Sequence, residues 1–370
     1  LKLFYSLSPE QKKTFYLELG KKDRLKNLNY RTGLIGRKTE LKSLLNHLND
    51  TVLNKGFLSV VLGKSGSGKS RLLSEVQKYV GGKNAFYVNV VSSESSQNHP
   101  YHPLIEGVKK ILDLLEKLPL YKKEEIYKEI KTELGSQGTL LLKMIPELSL
   151  VLGEAPKEAN YGNKENDLFL EKLFGFYKAV GQSHHPLVMV FDDAHFWDSG
   201  STYFLKHIKG QWLDSGVYFI FALRDDEVAR VVELHQYFVQ LAQEGQGNLI
   251  TLQNFSVEET QDLLNEIFGI IYNRNEDLAL RLYNASQGNV LLLIENIKAL
   301  VEEKIIDNKN EGWIINQEQL LSFRFSSSIA DKILSRLSKL SSKVHEILSY
   351  AAILGKDFQF ILLYNLLQKS

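Results

Sequence analysis

The residues Gly63-Lys64-Ser65-Gly66-Ser67-Gly68-Lys69-Ser70 have the spacing G-x-x-x-x-G-K-[ST] of a phosphate-binding loop. Glycines at these positions let backbone N–H groups crowd around an anion. A helix start behind the loop adds orphan N–H groups and the positive end of its dipole. Together these are worth about 0.3–1 kcal/mol toward an exposed charge and more when enclosed. Lys69 has the reach for β- and γ-phosphates, and the Ser70 hydroxyl is of the type that ligates Mg²⁺. A second constellation is Asp192-Asp193. A hard cation takes oxygen ligands, which suits Asp192 to the metal, directly or through water. Asp193 is then available to orient or deprotonate an attacking water. The plain alternative is a carboxylate pair that caps the next turn. Arg224, in Leu223-Arg224-Asp225-Asp226, is a third candidate, a guanidinium able to approach the γ-phosphate. Its alternative is a surface arginine paired with Asp225 or Asp226.

These groups work only if secondary structure brings them together. Phe57–Leu62 reads as a buried strand before the loop, and Arg71–Val80 as a helix after it, with Leu72, Leu73, Val76 and Val80 on one face. Four more apolar runs read as strands: Phe86–Val91, Pro186–Phe191, Gly216–Leu223 and Leu249–Leu252. Helical spacing marks residues 38–53, the stretch from Leu104 to Leu115, and residues 167–180. Residues 119–165 read as helices joined by loops at Gly135–Gly138 and Gly153–Gly162. Strands alternating with helices predict a parallel sheet covered on both faces. Ligands of such sheets bind at the carboxyl ends of the strands, where the loop, the aspartate pair and Arg224 all fall. Beyond residue 255 helical patterns dominate. Ser256-Val257-Glu258-Glu259 is a capping box that opens a helix running through Leu263, Leu264, Ile267 and Ile271. Further helices are predicted over 276–286 and 290–304, a hairpin over Ile305–Ile315 with its turn at Asn308–Gly312, and helices over 328–340 and 341–354.

The 370 residues leave room for two or three domains. Net charge is +1, from 45 basic and 44 acidic residues, so no global electrostatic pull toward nucleic acid is expected. Cysteine is absent, which excludes disulfides and cysteine-bound zinc and suits a reducing, cytoplasmic location. No apolar stretch nears the ~20 residues that span a bilayer. The histidines 184, 185 and 195 lack ligand spacing for zinc. The tryptophans 197, 212 and 313 read as core or boundary anchors. Leu1 and Ser370 read as the ends of a piece of a longer protein.

Phe191-Asp192-Asp193-Ala194-His195-Phe196-Trp197-Asp198-Ser199-Gly200-Ser201 resembles the extended aspartate motif of AAA-like signal-transduction ATPases with numerous domains, the STAND class. Leu34-Ile35-Gly36-Arg37-Lys38-Thr39-Glu40-Leu41 is similar to their segment near the adenine. Leu223-Arg224-Asp225-Asp226-Glu227 is similar to their Arg-Asp segment, and Asn254–Thr260 to the start of their helical lid. Ser286-Gln287-Gly288-Asn289-Val290 resembles a G-N-P segment that often contacts the base, with Val290 in place of proline. Residues 336–358 resemble the start of a winged helix. The resemblance implies ATP or ADP with Mg²⁺ as cofactors. It implies nucleotide contacts from Gly63 to Ser70, Arg71, Ile35, Gly36 and Arg37, a metal site at Ser70 and Asp192, and catalytic roles for Lys69, Asp193 and Arg224. Asp193 stands where many hydrolysing relatives carry glutamate, one methylene longer, so binding is expected to outweigh turnover.

The expected fold is therefore an α/β P-loop NTPase with an all-α lid. The expected domains are a linker or helix over 1–30, a nucleotide-binding domain over 31–254, a lid over 255–325 and the start of a winged helix over 326–370. The expected function is an ATP/ADP-controlled switch in a multidomain signalling or transcription-regulating protein, a slow ATPase. Its expected partners are flanking effector or sensor domains and an ATP-dependent homo-oligomer. Two alternatives are a DNA-associated AAA-type ATPase of the origin-recognition kind and a nucleotide-binding scaffold without turnover.

Overall fold

The computed structural model describes residues 33–53, 55–154, 165–183, 185–268, 276–309, 312–338, 340–355 and 358–369. The chain divides into two compact units, one spanning Leu34–Asn254 and the other containing Phe255–Ser370.

In the first unit the element order is α1 (Lys38–Val52), β1 (Phe57–Gly63), α2 (Lys69–Gly81), β2 (Phe86–Val91), α3 (His102–Leu115), α4 (Leu120–Leu134), α5 (Glu165–Gln182), β3 (Leu187–Asp192), α6 (Ser199–His207), β4 (Val217–Leu223), α7 (Val232–Gln243) and β5 (Asn248–Leu252). All five strands are parallel, in the order β2-β3-β4-β1-β5. The central strands are almost wholly apolar because both faces are covered, and the buried Ser59 of β1 is hydrogen-bonded to the Tyr218 hydroxyl of β4. Their side chains alternate between two cores. Leu58, Val60, Met189, Phe191, Phe219 and Phe221 face the core that holds Val108, Tyr177, Phe204 and Phe238 of the helices. Val61, Val188, Val190, Tyr218 and Ile220 face the other, with Leu44 and Leu48 of α1 and Leu72, Val76 and Val80 of α2.

The predictions hold to within two residues for the five strands and for α1, α2, α3 and α5, whereas α7 had no counterpart among them. The stretch at Gly135–Gly138, read as a loop, winds instead into 3₁₀ turns over Ser136–Lys143. Its apolar Leu140 and Leu141 are buried, and that packing pulls the segment into shape.

In the second unit come α8 (Val257–Phe268), α9 (Glu276–Ser286), α10 (Val290–Glu302), an antiparallel hairpin of β6 (Ile306–Lys309) and β7 (Gly312–Ile315), and then α11 (Gln317–Ser322), α12 (Ile329–Ser338), α13 (Ser342–Leu354) and α14 (Phe360–Lys369). The capping box forms as read: Ser256 N donates to Glu259 Oε2 at 2.8 Å, and Glu259 N to Ser256 Oγ at 3.1 Å. The linker expected over 1–30 lies outside the described residues, as do Ile271 and the hairpin-turn residues Asn310 and Glu311. Among the described residues no helix is long and apolar enough to cross a membrane.

Candidate functional site

Strand order places the chemistry. β4 lies between β3 and β1, with Phe191 level with Phe221 and Leu62 level with Leu223. The chain therefore leaves three adjacent strands at one edge through Asp192-Asp193, Arg224 and the glycine-rich loop. No pair of these is close in sequence.

The loop's own geometry follows from its glycines. Gly66 and Gly68 have φ of 79° and 99°, conformations that a side chain disfavours. Gly63 is needed for space: a Cβ there would lie 2.6 Å from Ser67 Oγ and 3.2 Å from the Leu252 carbonyl oxygen. Gly68 caps α2, so the orphan N–H groups of that helix open into the loop. Lys69 is 8% exposed and folds back over the loop, its Nζ donating to the carbonyl oxygens of Gly63 at 2.6 Å and Lys64 at 3.1 Å. Burial holds its pKa below the usual lysine value, with Asp192 opposing the shift. Ser67 Oγ is buried and has no hydrogen-bond partner among the described residues.

Ser70 and Asp192, 122 positions apart, meet at the mouth of the loop, where Ser70 Oγ donates to Asp192 Oδ2 at 3.1 Å. Burial and the neighbouring Asp193 push the Asp192 carboxyl above its ordinary value. A hydroxyl beside a partly buried carboxylate whose charge is disfavoured suits a hard cation, which would relieve the carboxylate. Asp193 has a left-handed backbone, φ 53°, and its N–H donates to Asp192 Oδ1 at 3.0 Å. Arg224 Nε lies 3.6 Å from Asp193 Oδ1, so the arginine is turned to the aspartate pair and not to Asp225 or Asp226. Loop amides, a buried lysine, a hydroxyl and a carboxylate are together the donor set that a Mg-bound phosphate chain requires.

Sequence reasoning missed one member. His195 is fully buried, with Nδ1 3.9 Å from the same Asp193 Oδ1, and neither ring nitrogen has a hydrogen-bond partner. Burial pulls its pKa down, which favours the neutral ring. Its position inside the aspartate motif was the available signal, but nothing in the spacing separated it from a core histidine.

Other motif residues serve the scaffold. Asp198 caps α6, accepting from Ser201 N at 2.9 Å, Ser201 Oγ at 2.6 Å and Tyr101 N at 3.1 Å. Trp197 is buried with its ring edge-on to Phe191 and Phe221. Arg71 pairs with Glu75 along α2 at 2.9 Å. Ile35 is half-buried, and Gly36 is exposed with φ 63°. Arg37 is buried, bonded to backbone oxygens of Ser67 and Gln253 and to Glu40. In the second unit Gly288 has φ 72° and its carbonyl accepts from Phe255 N at 2.8 Å, while Asn289 caps α10.

A fold of this order with this loop defines a P-loop nucleotide-binding unit. The family model of the AAA ATPase domain matches residues 33–217, half of the chain, and the chain belongs to that family. Over 190 residues it is 26% identical to the hybrid signal transduction histidine kinase G of Dictyostelium discoideum, a match covering 51% of this chain and 6% of that kinase. The chain thus spans a small part of the length of that relative. Among solved structures it is similar to a Walker-type ATPase of Pyrococcus abyssi, at 14% identity over 90% of this chain and 88% of that one, TM-score 0.41. It is also similar to the Aeropyrum pernix ORC2 protein, at 14% identity over 90% and 79%, TM-score 0.44.

Proposed function

We propose that the chain is a Mg-ATP-binding regulatory switch of the STAND kind, carried by a larger signalling or transcription-regulating protein and reset by slow hydrolysis. The meeting of Ser70 with Asp192 beside the buried Lys69 carries this reading. The similarity to a small stretch of a long signalling kinase supports the larger setting.

In this reading the loop amides from Lys64 to Ser70 grip the β-phosphate, and Lys69 leaves the carbonyls of Gly63 and Lys64 for phosphate oxygens. Ser70 and Asp192 hold the magnesium ion, which when bound neutralises phosphate charge. Asp193 orients water, held in place by Arg224 and His195. Arg224 exchanges Asp193 for the γ-phosphate and so distinguishes ATP from ADP. Ile35 and Gly36 line the adenine. Residues 31–254 form the nucleotide domain, 255–325 the lid and 326–370 the start of a winged helix.

The test is nucleotide titration of Lys69→Ala. A hydrogen bond to a charged group contributes about 1.5–3 kcal/mol, so the loss expected is about tenfold or more. Unchanged ADP and ATP affinity would sink the reading. Asp193→Asn is expected to keep binding and to lose single-turnover hydrolysis.

A further inference from the structure

We infer that Arg37 is a positioning residue that sets the phosphate loop and ties it to the chain at the boundary between the two units. The inference rests on the nucleotide reading above. Arginine is almost never buried without partners, yet Arg37 is 5% exposed. Its backbone is fixed at the start of α1, where its carbonyl accepts from Leu41 N at 3.0 Å. Glu40, one turn into that helix, lies 3.4 Å from Nη1 and neutralises the buried charge. That leaves Nη2 facing two backbone oxygens from distant parts of the chain, Ser67 at 3.4 Å and Gln253.

The Ser67 oxygen matters because of peptide geometry. In a trans peptide the C=O and the next N–H point to opposite sides. Drawing the Ser67 oxygen toward Arg37 therefore turns the Gly68 N–H the other way. Gly68 has φ 99° and no Cβ, so its peptide can take either orientation at little steric cost. The guanidinium selects one orientation before any anion arrives. The Gly63 and Lys64 carbonyls are held by Lys69, so the two ends of the loop are fixed by different cations.

The Gln253 oxygen matters because of where it lies. β5 ends at Leu252, level with Gly63, and the second unit begins at Phe255. Phe255 N is itself bonded to Gly288 O within that unit. One residue, Asn254, separates the carbonyl held by Arg37 from the amide held by Gly288. An anion that stiffens the Gly68 peptide stiffens the Ser67–Arg37 contact, and the same nitrogen passes this to Gln253. The loop's occupancy is thereby read at the unit boundary.

The experiment uses the whole chain with Mg-ADP. ADP affinity is measured by titration, and amide hydrogen exchange is followed over residues 253–256 with and without saturating ADP. Wild type is expected to gain protection there. Arg37→Ala is expected to bind ADP about tenfold more weakly, the loss of a hydrogen bond to a charged group, and at saturation to show no added protection. Arg37→Lys keeps one cationic nitrogen for both carbonyls and is expected to restore both properties in part, which a residue needed only for folding would not do. Arg37→Gln, too short to span both oxygens, gives the same expectation as alanine if the alanine variant does not fold. Wild-type affinity in Arg37→Ala or Arg37→Gln, or undiminished protection at saturation, overturns the inference. A wild type that binds no ADP, and matches Lys69→Ala in this, overturns the nucleotide reading and the inference with it.

Discussion

Asp192 carries opposing demands. Its carboxylate is partly buried beside Asp193, and both burial and that neighbour push its pKa up. A carboxyl with a raised folded-state pKa favours the folded state when protonated. Its contribution is fully present below the ordinary carboxylate pKa and is lost as pH rises through the raised value. At neutral pH the charged form is therefore a burden on the ligand-free protein. Asp192→Asn is expected to raise the thermal midpoint of the ligand-free first unit near pH 7, where about 1 kcal/mol corresponds to roughly 2–4 °C in a domain of this size. The gain should shrink as pH falls below the ordinary carboxylate range. The same change should weaken Mg-dependent nucleotide binding. Melting curves across pH in chelator, beside titrations with Mg-ADP, check both halves. A lower midpoint at pH 7 would show that the carboxylate is not strained.

Within each unit the elements are held by caps and close approaches that the motif pattern did not distinguish from ligand contacts. Asp198 sits in the aspartate motif yet spends both oxygens on the start of α6 and on Tyr101. Loss of an N-cap costs about 0.5–2 kcal/mol, so Asp198→Ala is expected to lower the urea midpoint of the first unit without abolishing ADP binding. Gly288 is more constrained. With φ 72°, a Cβ would stand 2.0 Å from the Phe255 carbonyl oxygen. Gly288→Ala is expected to cost about 2 kcal/mol or more, the sum of left-handed strain and backbone displacement. Amide hydrogen exchange of the full chain over residues 255–302 in increasing urea would detect this in the second unit. In this fold the segment's glycine is explained by backbone packing, with Val290 simply the first residue of α10.

At the scale of the whole molecule, the chain forms two compact units, and Asn254–Phe255 is a junction between them. A switch needs two arrangements with different affinity for the two nucleotides. Arg224 supplies a residue whose partner differs between them, because Asp193 and a γ-phosphate compete for it. X-ray scattering of the full chain with Mg-ADP and with a non-hydrolysable ATP analogue is expected to give distinct profiles. Arg224→Ala is expected to make them coincide. Identical wild-type profiles would leave a nucleotide-binding scaffold as the better description.

The sequence by itself determined the elements and the phosphate loop. Apolar runs of four to eight residues, the glycine spacing and the Ser256–Glu259 box are local signals, and local sterics fix what they form. It also put three chemical groups at strand ends, because each apolar run stops where its charged residue begins. Which groups touch was decided by the strand order β2-β3-β4-β1-β5, since sequence separation carries no information about lateral position in a parallel sheet. That order brought Ser70 to Asp192 across 122 residues and turned Arg224 to Asp193 and away from its own acidic neighbours. It buried His195 beside the same carboxylate and gave the Arg37 guanidinium two carbonyls to hold. Apart from the local approach of His195 to Asp193, these are long-range contacts made by packing, and no period or spacing along the chain encodes them.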